Sequence, residues 1–432
     1  MLHWLLTIRI DHLSFLVPLY AIAALLAAYL LVRSPWPLGL VRTVVAGLVG
    51  AAAALFACWL FGDVWNVFGI DLTATTRMWV ALACAGIGLA VANLWGSRWY
   101  RVVIACVSIP VFLLAGAAGV NMDFGAFRNV SEVVQSTPYR SMPTARLHGT
   151  AGVMPQGLLA SWRADAPLPA HGKIGTVHIP ATASHFRARD AVIYLPPAAL
   201  VPNAPKLPVI VAFPGQPGTP AYMFTSGRMG AILDAYAAQH HGLAPIVVAP
   251  DQLGEPDRNP MCVDSPIGNS ATYLTVDVPN WIRSHLNVAN TPDAWAIIGY
   301  SQGGTCSIQL GGGHPELFRT IVDISGELVP TIGADTVARG FGGSTAAYDA
   351  AKPLSILAAH TPYHDTTAIF AAGAEDTKYS GFARAVFGAA TKAGMTTKLI
   401  ISPGTAHDWH TVLYVFHRTL PDLASRLLGS KA

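Results

Sequence analysis

The chain has 432 residues, more than one ordinary domain needs, so two or three parts are expected. Hydrophobic residues make up 52% of it and charged residues only 12%, about half the charged share of a typical soluble domain. The formal net charge of +3 forms no basic stripe and no patch interleaved with aromatics, which argues against nucleic acid as a partner.

The charge deficit is concentrated at the N-terminus, where no lysine precedes Lys173. Four apolar runs follow one another there, over 13–32, 39–61, 78–95 and 102–120. Each is about the 20 residues that a helix needs to cross a bilayer. Arg42 is the only charged residue within them, near an end from which it can snorkel to the interface. Buried helices of a soluble protein are the alternative, but four consecutive runs of this length favour a transmembrane domain over residues 1–122. A cleaved signal peptide fits poorly, because no cleavage-like boundary follows the first run. Arg33 and Arg42 flank the loop after the first run, and Arg98 and Arg101 the loop after the third. The loop after the second sets Asp63 and Asp71 against Arg77. The positive-inside rule then predicts a multi-pass protein of the cytoplasmic membrane with everything after the spans on the extracytoplasmic side. Cys58, Cys84 and Cys106 fall inside the predicted spans, leaving Cys262 and Cys306. An oxidising exterior allows those two to form a disulfide, and two separate buried thiols are the alternative.

Residues 123–172 are rich in Pro, Ser and Gly without sustained periodicity and read as a connector. From Lys173 to the C-terminus, short β-rich runs alternate with helix-length segments: VIYLP (192–196), PVIVAFPG (208–215), PIVVAPD (245–251), AWAIIGYS (294–301), TIVDISG (320–326), AIFAAG (368–373) and KLIISPG (398–404). Helices are expected near 222–240, 271–286, 302–313, 380–393 and 409–427. Continuous apolar strands separated by helices predict an α/β architecture after the four transmembrane helices, a mostly parallel sheet covered on both faces. In such sheets function collects at the carboxyl ends of the strands.

Ser301 lies at one of those ends, within Gly299-Tyr300-Ser301-Gln302-Gly303. A strand before it and a helix start after it are the setting of a nucleophile on a sharp turn. A serine hydroxyl needs a base, and His407, on the loop after the last strand, is the candidate; His410 falls in the first turn of the final helix. The imidazole needs a carboxylate, and the loop after AIFAAG offers Asp376, with Glu375 as the alternative acid. The chain order Ser301, Asp376, His407 is that of α/β-hydrolases. The backbone N–H of Gln302 and the FPGQPG loop near Gln216 are candidate oxyanion donors. Two metal readings fail: His360, His364 and Asp365 are interrupted by Pro362, and the side chains of His240 and His241 point apart, so neither a metal nor another cofactor is expected.

Together GYSQGG, AGAEDTKY, GTAHDW and PGQPG resemble the bacterial putative-esterase family, related to esterase D and to mycolyltransferases, over about residues 173–430. The stretch CVDSPIGNSATYLTVDVPNWI (262–282) is similar to membrane-anchored actinobacterial members. The resemblance implies Ser301 as nucleophile, His407 as base, Asp376 or Glu375 as acid, and oxyanion amides at Gln302 and near Gln216. It implies lipid-linked esters, such as aminoacyl esters of phosphatidylglycerol, as substrates. The expected activity is a membrane-anchored serine ester hydrolase. An acyltransferase with the same triad and a non-catalytic binding module are the alternatives, and the oligomeric state is left open.

Overall fold

The computed structural model describes residues 3–32, 36–134, 137–143 and 149–429, so Arg33 lies outside the described residues. The chain divides into two compact units, Met1–Ser136 with Ala406–His410, and Thr137–Thr405 with Thr411–Ala432.

Among its described residues the first unit holds four helices long and apolar enough to cross a membrane. They are α1 (Leu13–Leu31), α2 (Leu38–Ala57), α3 (Ala74–Ala92) and α4 (Trp99–Phe124), α2 running on through a π-helical stretch, Cys58–Val64. Small residues set their spacing. A Cβ on Gly50 would stand 2.2 Å from the Cys84 carbonyl oxygen, and one on Gly88 would stand 2.3 Å from that of Ala46, so α2 and α3 touch backbone to backbone. Asn93, buried at the end of α3, donates to the carbonyls of Leu30 and Leu89 at 3.1 and 2.8 Å. Arg101 donates to the Asn93 side chain at 2.6 Å and to the carbonyls of Tyr29, Leu30 and Val32, the end of α1. α4 ends at Gly125, whose φ of 60° suits a residue without a Cβ.

These helices outrun the apolar runs of the sequence. α3 begins four residues before the run at 78 and takes in Arg77, and α4 ends four residues after the run at 120 and takes in Asp123. Arg42 is therefore not the only charge on the spanning helices. Hydropathy marks the hydrocarbon-length segment, whereas the helix continues until a cap stops it. Arg77 pairs with Asp63 at 2.6 Å, and Asp123 accepts from the hydroxyls of Thr73, the residue capping α3, and Thr76.

The second unit is an eight-stranded sheet. Its elements in chain order are β1 (Lys173–Val177), β2 (Ala191–Leu195), β3 (Val209–Phe213), α5 (Met229–Gln239), β4 (Ile246–Ala249), α6 (Val278–His285), β5 (Trp295–Tyr300), α7 (Gln302–Gly313), β6 (Thr320–Ile324), β7 (Thr367–Gly373), α8 (Thr377–Lys392), β8 (Thr396–Ser402) and α9 (Trp409–Leu427). The strands lie in the order β1-β2-β4-β3-β5-β6-β7-β8, antiparallel at β1–β2 and β2–β4 and parallel from β4 onward. All residues of β2, β3, β5 and β6 are buried, as strands covered on both faces must be. At roughly 1.5–3 kcal/mol for each buried large apolar side chain, these runs dominate the stabilisation of the unit.

Three features depart from the sequence reading. β1 has no counterpart among the expected strands. The stretch read as a connector contributes to the second unit: Met142 donates to Thr176 and Thr176 to Arg140, adding chain to the outer edge of β1. Between β6 and β7 the chain forms two further short helices, Thr345–Ala350 and Pro353–Ala359.

Candidate active site

Ser301 occupies the one-residue turn between β5 and α7, with φ 57° and ψ −121°. A positive φ on a residue with a side chain costs on the order of 1–3 kcal/mol, so the surroundings must impose it. They do so by close approach. A Cβ on Gly299 would lie 1.8 Å from the Gly303 carbonyl oxygen, and one on Gly303 would lie 2.4 Å from that of Pro214. The Ser301 N–H donates to the Ile324 carbonyl at 2.8 Å, tying the turn to β6. Thr305 N–H donates to the Ser301 carbonyl at 3.0 Å and begins α7. Gln302 follows at the first helical position, where backbone N–H groups have no partner inside the helix and the helix end carries partial positive charge.

The loop after β3 comes against this turn. A Cβ built on Gly215 would stand 3.1 Å from the Ser301 Cβ, so the backbone of Pro214, Gly215 and Gln216 passes beside the serine. The loop is held from the carboxyl end of β4. The fully buried Asp251 takes a two-pronged ion pair from Arg189, at 3.0 Å to Nε and 2.7 Å to Nη2. The same guanidinium donates to the Gly218 carbonyl at 3.0 Å. The side chain of Gln216 donates to the Asp257 carbonyl at 2.6 Å, and Gly218 N–H donates to that of Pro256.

Asp376 follows β7 by three residues and is buried; its Oδ1 accepts from Tyr379 N–H at 3.1 Å and caps α8. Its neighbour Glu375 is exposed. The loops after β7 and β8 are stitched together, Ala374 donating to Ser402 and Glu375 to Thr405. His407 lies two residues beyond Thr405 and is buried, in a turn where Asp408 accepts from Ala406 N–H at 2.8 Å. His410 stands in the first turn of α9, with Nε2 2.9 Å from the Met122 carbonyl oxygen. Ser301 and Asp376 thus leave the same, carboxyl, edge of the sheet, and His407 is carried by the loop that leaves that edge after β8.

Two further carboxyls lie close behind the turn. Asp323, on β6, is fully buried, and burial pushes it up to about 7 against the one N–H that Gly326 offers. Burial likewise raises Glu327 to about 7, opposed by the charge of Lys378. The backbone N–H of Glu327 donates to the Thr305 hydroxyl at 2.9 Å. Cys262 and Cys306 are joined as a disulfide, Cα atoms 5.5 Å apart, with Cys306 one turn along α7 from Gln302. Among the described residues no group of three or more His, Cys, Asp or Glu side chains could hold a metal ion. Sequence reasoning did not single out Asp251, Gln252, Asn259 or Asp323. Asp251 and Gln252 sit at a strand's carboxyl end, which was the available signal.

The sequence pattern of the putative esterase family matches residues 183–400, just over half of the chain. An uncharacterized protein of Corynebacterium glutamicum is 38% identical over 222 residues, 50% of this chain and 52% of its own. The chain thus spans about half the length of the curated relative that it matches. Among solved structures, a ferulic acid esterase superposes with a TM-score of 0.51 at 16% identity, covering 60% of this chain and all of its own, which shows a common fold. An S-formylglutathione hydrolase from Agrobacterium tumefaciens reaches a TM-score of 0.49 at 19% identity, over 62% of this chain and all of its own. With its sheet order and the matched segment spanning β2 to β8, the chain belongs to the putative esterase family and has an α/β-hydrolase fold.

Proposed function

We propose that the chain is a membrane-embedded serine ester hydrolase that acts on lipid-linked esters outside the cytoplasmic membrane. One observation carries the reading: Ser301 is held at a positive φ on the strand-to-helix turn, with the Gly215 backbone beside it. In this reading Ser301 Oγ attacks the ester carbonyl as its proton passes to His407. Asp376, buried where Glu375 is exposed, orients the imidazole. The negative oxygen of the tetrahedral intermediate is received by the N–H groups of Gln302 and Gln216. The proton then goes to the departing alcohol, and water, activated by His407, releases the acid from Ser301.

The four apolar helices support embedding in a bilayer, and in this reading the substrates are lipid-linked esters such as aminoacyl phospholipids. The Cys262–Cys306 disulfide supports an oxidising, extracytoplasmic setting for that unit. The test uses the detergent-solubilised full chain and Ser301→Ala with a fluorophosphonate probe and p-nitrophenyl esters of rising chain length. Labelling and turnover present in the parent and absent from the variant are the expected result. A parent that neither labels nor turns over overturns the reading in favour of a binding module. Supplying an alcohol acceptor distinguishes transfer from hydrolysis, since transfer leaves an acylated acceptor in place of free acid.

A further inference from the structure

The two segments proposed to receive the oxyanion are joined behind the site by a buried chain of amides. Gln252, three residues past the end of β4, is fully buried. Its Nε2 donates to the Pro214 carbonyl at 2.7 Å, on the loop that carries Gln216, and to Gln302 Oε1 at 3.2 Å. Gln302 Nε2 continues to Asn259 Oδ1 at 3.0 Å and lies 3.2 and 3.8 Å from the Cys306 and Cys262 sulfurs of the disulfide. Asn259 Oδ1 also accepts from Met261 N–H at 2.8 Å, and its Nδ2 donates to the Thr331 carbonyl at 3.0 Å.

The direction of every link is determined. A backbone carbonyl and a backbone N–H fix which end of the Asn259 amide is oxygen. Asn259 Oδ1 then requires Gln302 to present its nitrogen, which leaves Gln302 Oε1 toward Gln252. Pro214 and Gln302 both offer acceptors, so Gln252 must offer its nitrogen to both. Such a chain has one arrangement, and its Gln252 Oε1 has no partner among the described residues. A buried amide oxygen without a partner costs on the order of 1–3 kcal/mol, which the two bonds of Nε2 must offset. Met261 and Cys262, with φ of 61° and 52°, add backbone strain to the same loop.

We propose that Gln252 is a positioning residue, which with Gln302, Asn259 and the Cys262–Cys306 disulfide sets the distance between the two oxyanion donors. This rests on the hydrolase reading. Transition-state stabilisation by donors depends on their placement before the reaction, and a misplacement of about 1 Å can cost roughly a hundredfold in rate. The substrate itself gains little from the hole in its ground state, so the effect belongs in kcat.

The test is Gln252→Met, which keeps length and loses both bonds, measured in the full-length solubilised protein together with Ser301→Ala. Expected are a kcat about 30- to 100-fold below the parent, a KM within about twofold, and a boronic acid inhibitor, which mimics the tetrahedral adduct, weakened by the same factor as kcat/KM. Should Gln252→Met not fold, as judged by its melting curve, Asn259→Leu breaks the far end of the chain and is expected to move the same three quantities in the same directions. A kcat within threefold of the parent, or a boronate affinity that does not follow kcat/KM, overturns the proposal and leaves the hydrolase reading standing. A parent enzyme that neither labels nor turns over removes both.

Discussion

In the helical unit Leu25 and Leu48 leave 71% and 65% of their surface uncovered, whereas every side chain of β3 in the hydrolase unit is fully covered. Inside, the helical unit keeps Leu16, Leu19, Leu30, Leu89 and Phe112 together with small or polar residues, Gly47, Thr43, Asn93 and Ser108, and glycines let the helices touch. Large apolar residues thus face both inward and outward in the helical unit, and inward in the central strands of the other. In water, apolar area is removed from solvent by folding. In hydrocarbon, leucine gains nothing by turning inward, so close packing and polar links decide what faces inward. The difference teaches that an exposed leucine has no meaning until the surrounding solvent is stated.

Five substitutions break or sharpen that contrast, beyond the test of Gln252. The largest effect is local to the hydrolase unit: Ser301→Ala is expected to lower kcat by about 10⁵-fold or more without moving the melting temperature, read by ester turnover alongside a thermal melt. Second, Gly299→Ala places a methyl 1.8 Å from a carbonyl oxygen and is expected to cost more than about 4 kcal/mol, seen as loss of folded hydrolase unit in limited proteolysis. Third comes a pair of exposed positions. Leu48→Arg in α2 is expected to cost about 3 kcal/mol of membrane insertion, whereas Val153→Arg, at a residue 84% exposed in the hydrolase unit, is expected to stay within about 0.5 kcal/mol. Membrane fractionation reads the first and a thermal melt the second; equal effects would contradict opposite solvents for the two units.

The smallest effect concerns pH. Asp323 and Glu327 titrate near 7 when folded and near 4 when unfolded, so between these values the folded state binds the extra protons. Stability contributed by their neutral forms is therefore present at low pH and lost as pH rises from about 4 through 7. Asp323→Asn is expected to reduce the fall in melting temperature between pH 5 and 8, by an amount worth about 1–2 kcal/mol. An unchanged slope would show that Asp323 is not held neutral.

The sheet was legible because its central strands are continuous apolar runs that end in small or polar clusters, and the positions of Ser301, Gln302 and Gln216 followed from those ends. β1 was not, since Lys-Ile-Gly-Thr-Val is short, half-polar and placed at an edge, where partners supply the strand. The helices at 345–350 and 353–359 carry too little apolar periodicity to register. The pairing of Cys262 with Cys306, 44 residues apart, was legible as one of two alternatives, because the other three cysteines fall inside the apolar runs, and the structure shows it formed. The amides of Gln252 and Asn259 were invisible: their meaning lies in what they meet, and apart from Met261 they meet residues 38 to 72 positions away.

Arg101 bears on how the helical unit is made. The last carbonyls of α1 have no partners within their own helix, and the guanidinium that donates to those of Tyr29, Leu30 and the capping Val32 belongs to α4, about 70 residues later in synthesis. During translation the end of the first helix is therefore completed in stages, by Thr43 on the second helix and Asn93 at the end of the third before Arg101 of the fourth arrives. A chain interrupted before Arg101 keeps those two bonds and lacks the donor to the Tyr29 and Val32 carbonyls, so the last step of closing that helix end falls to the fourth helix.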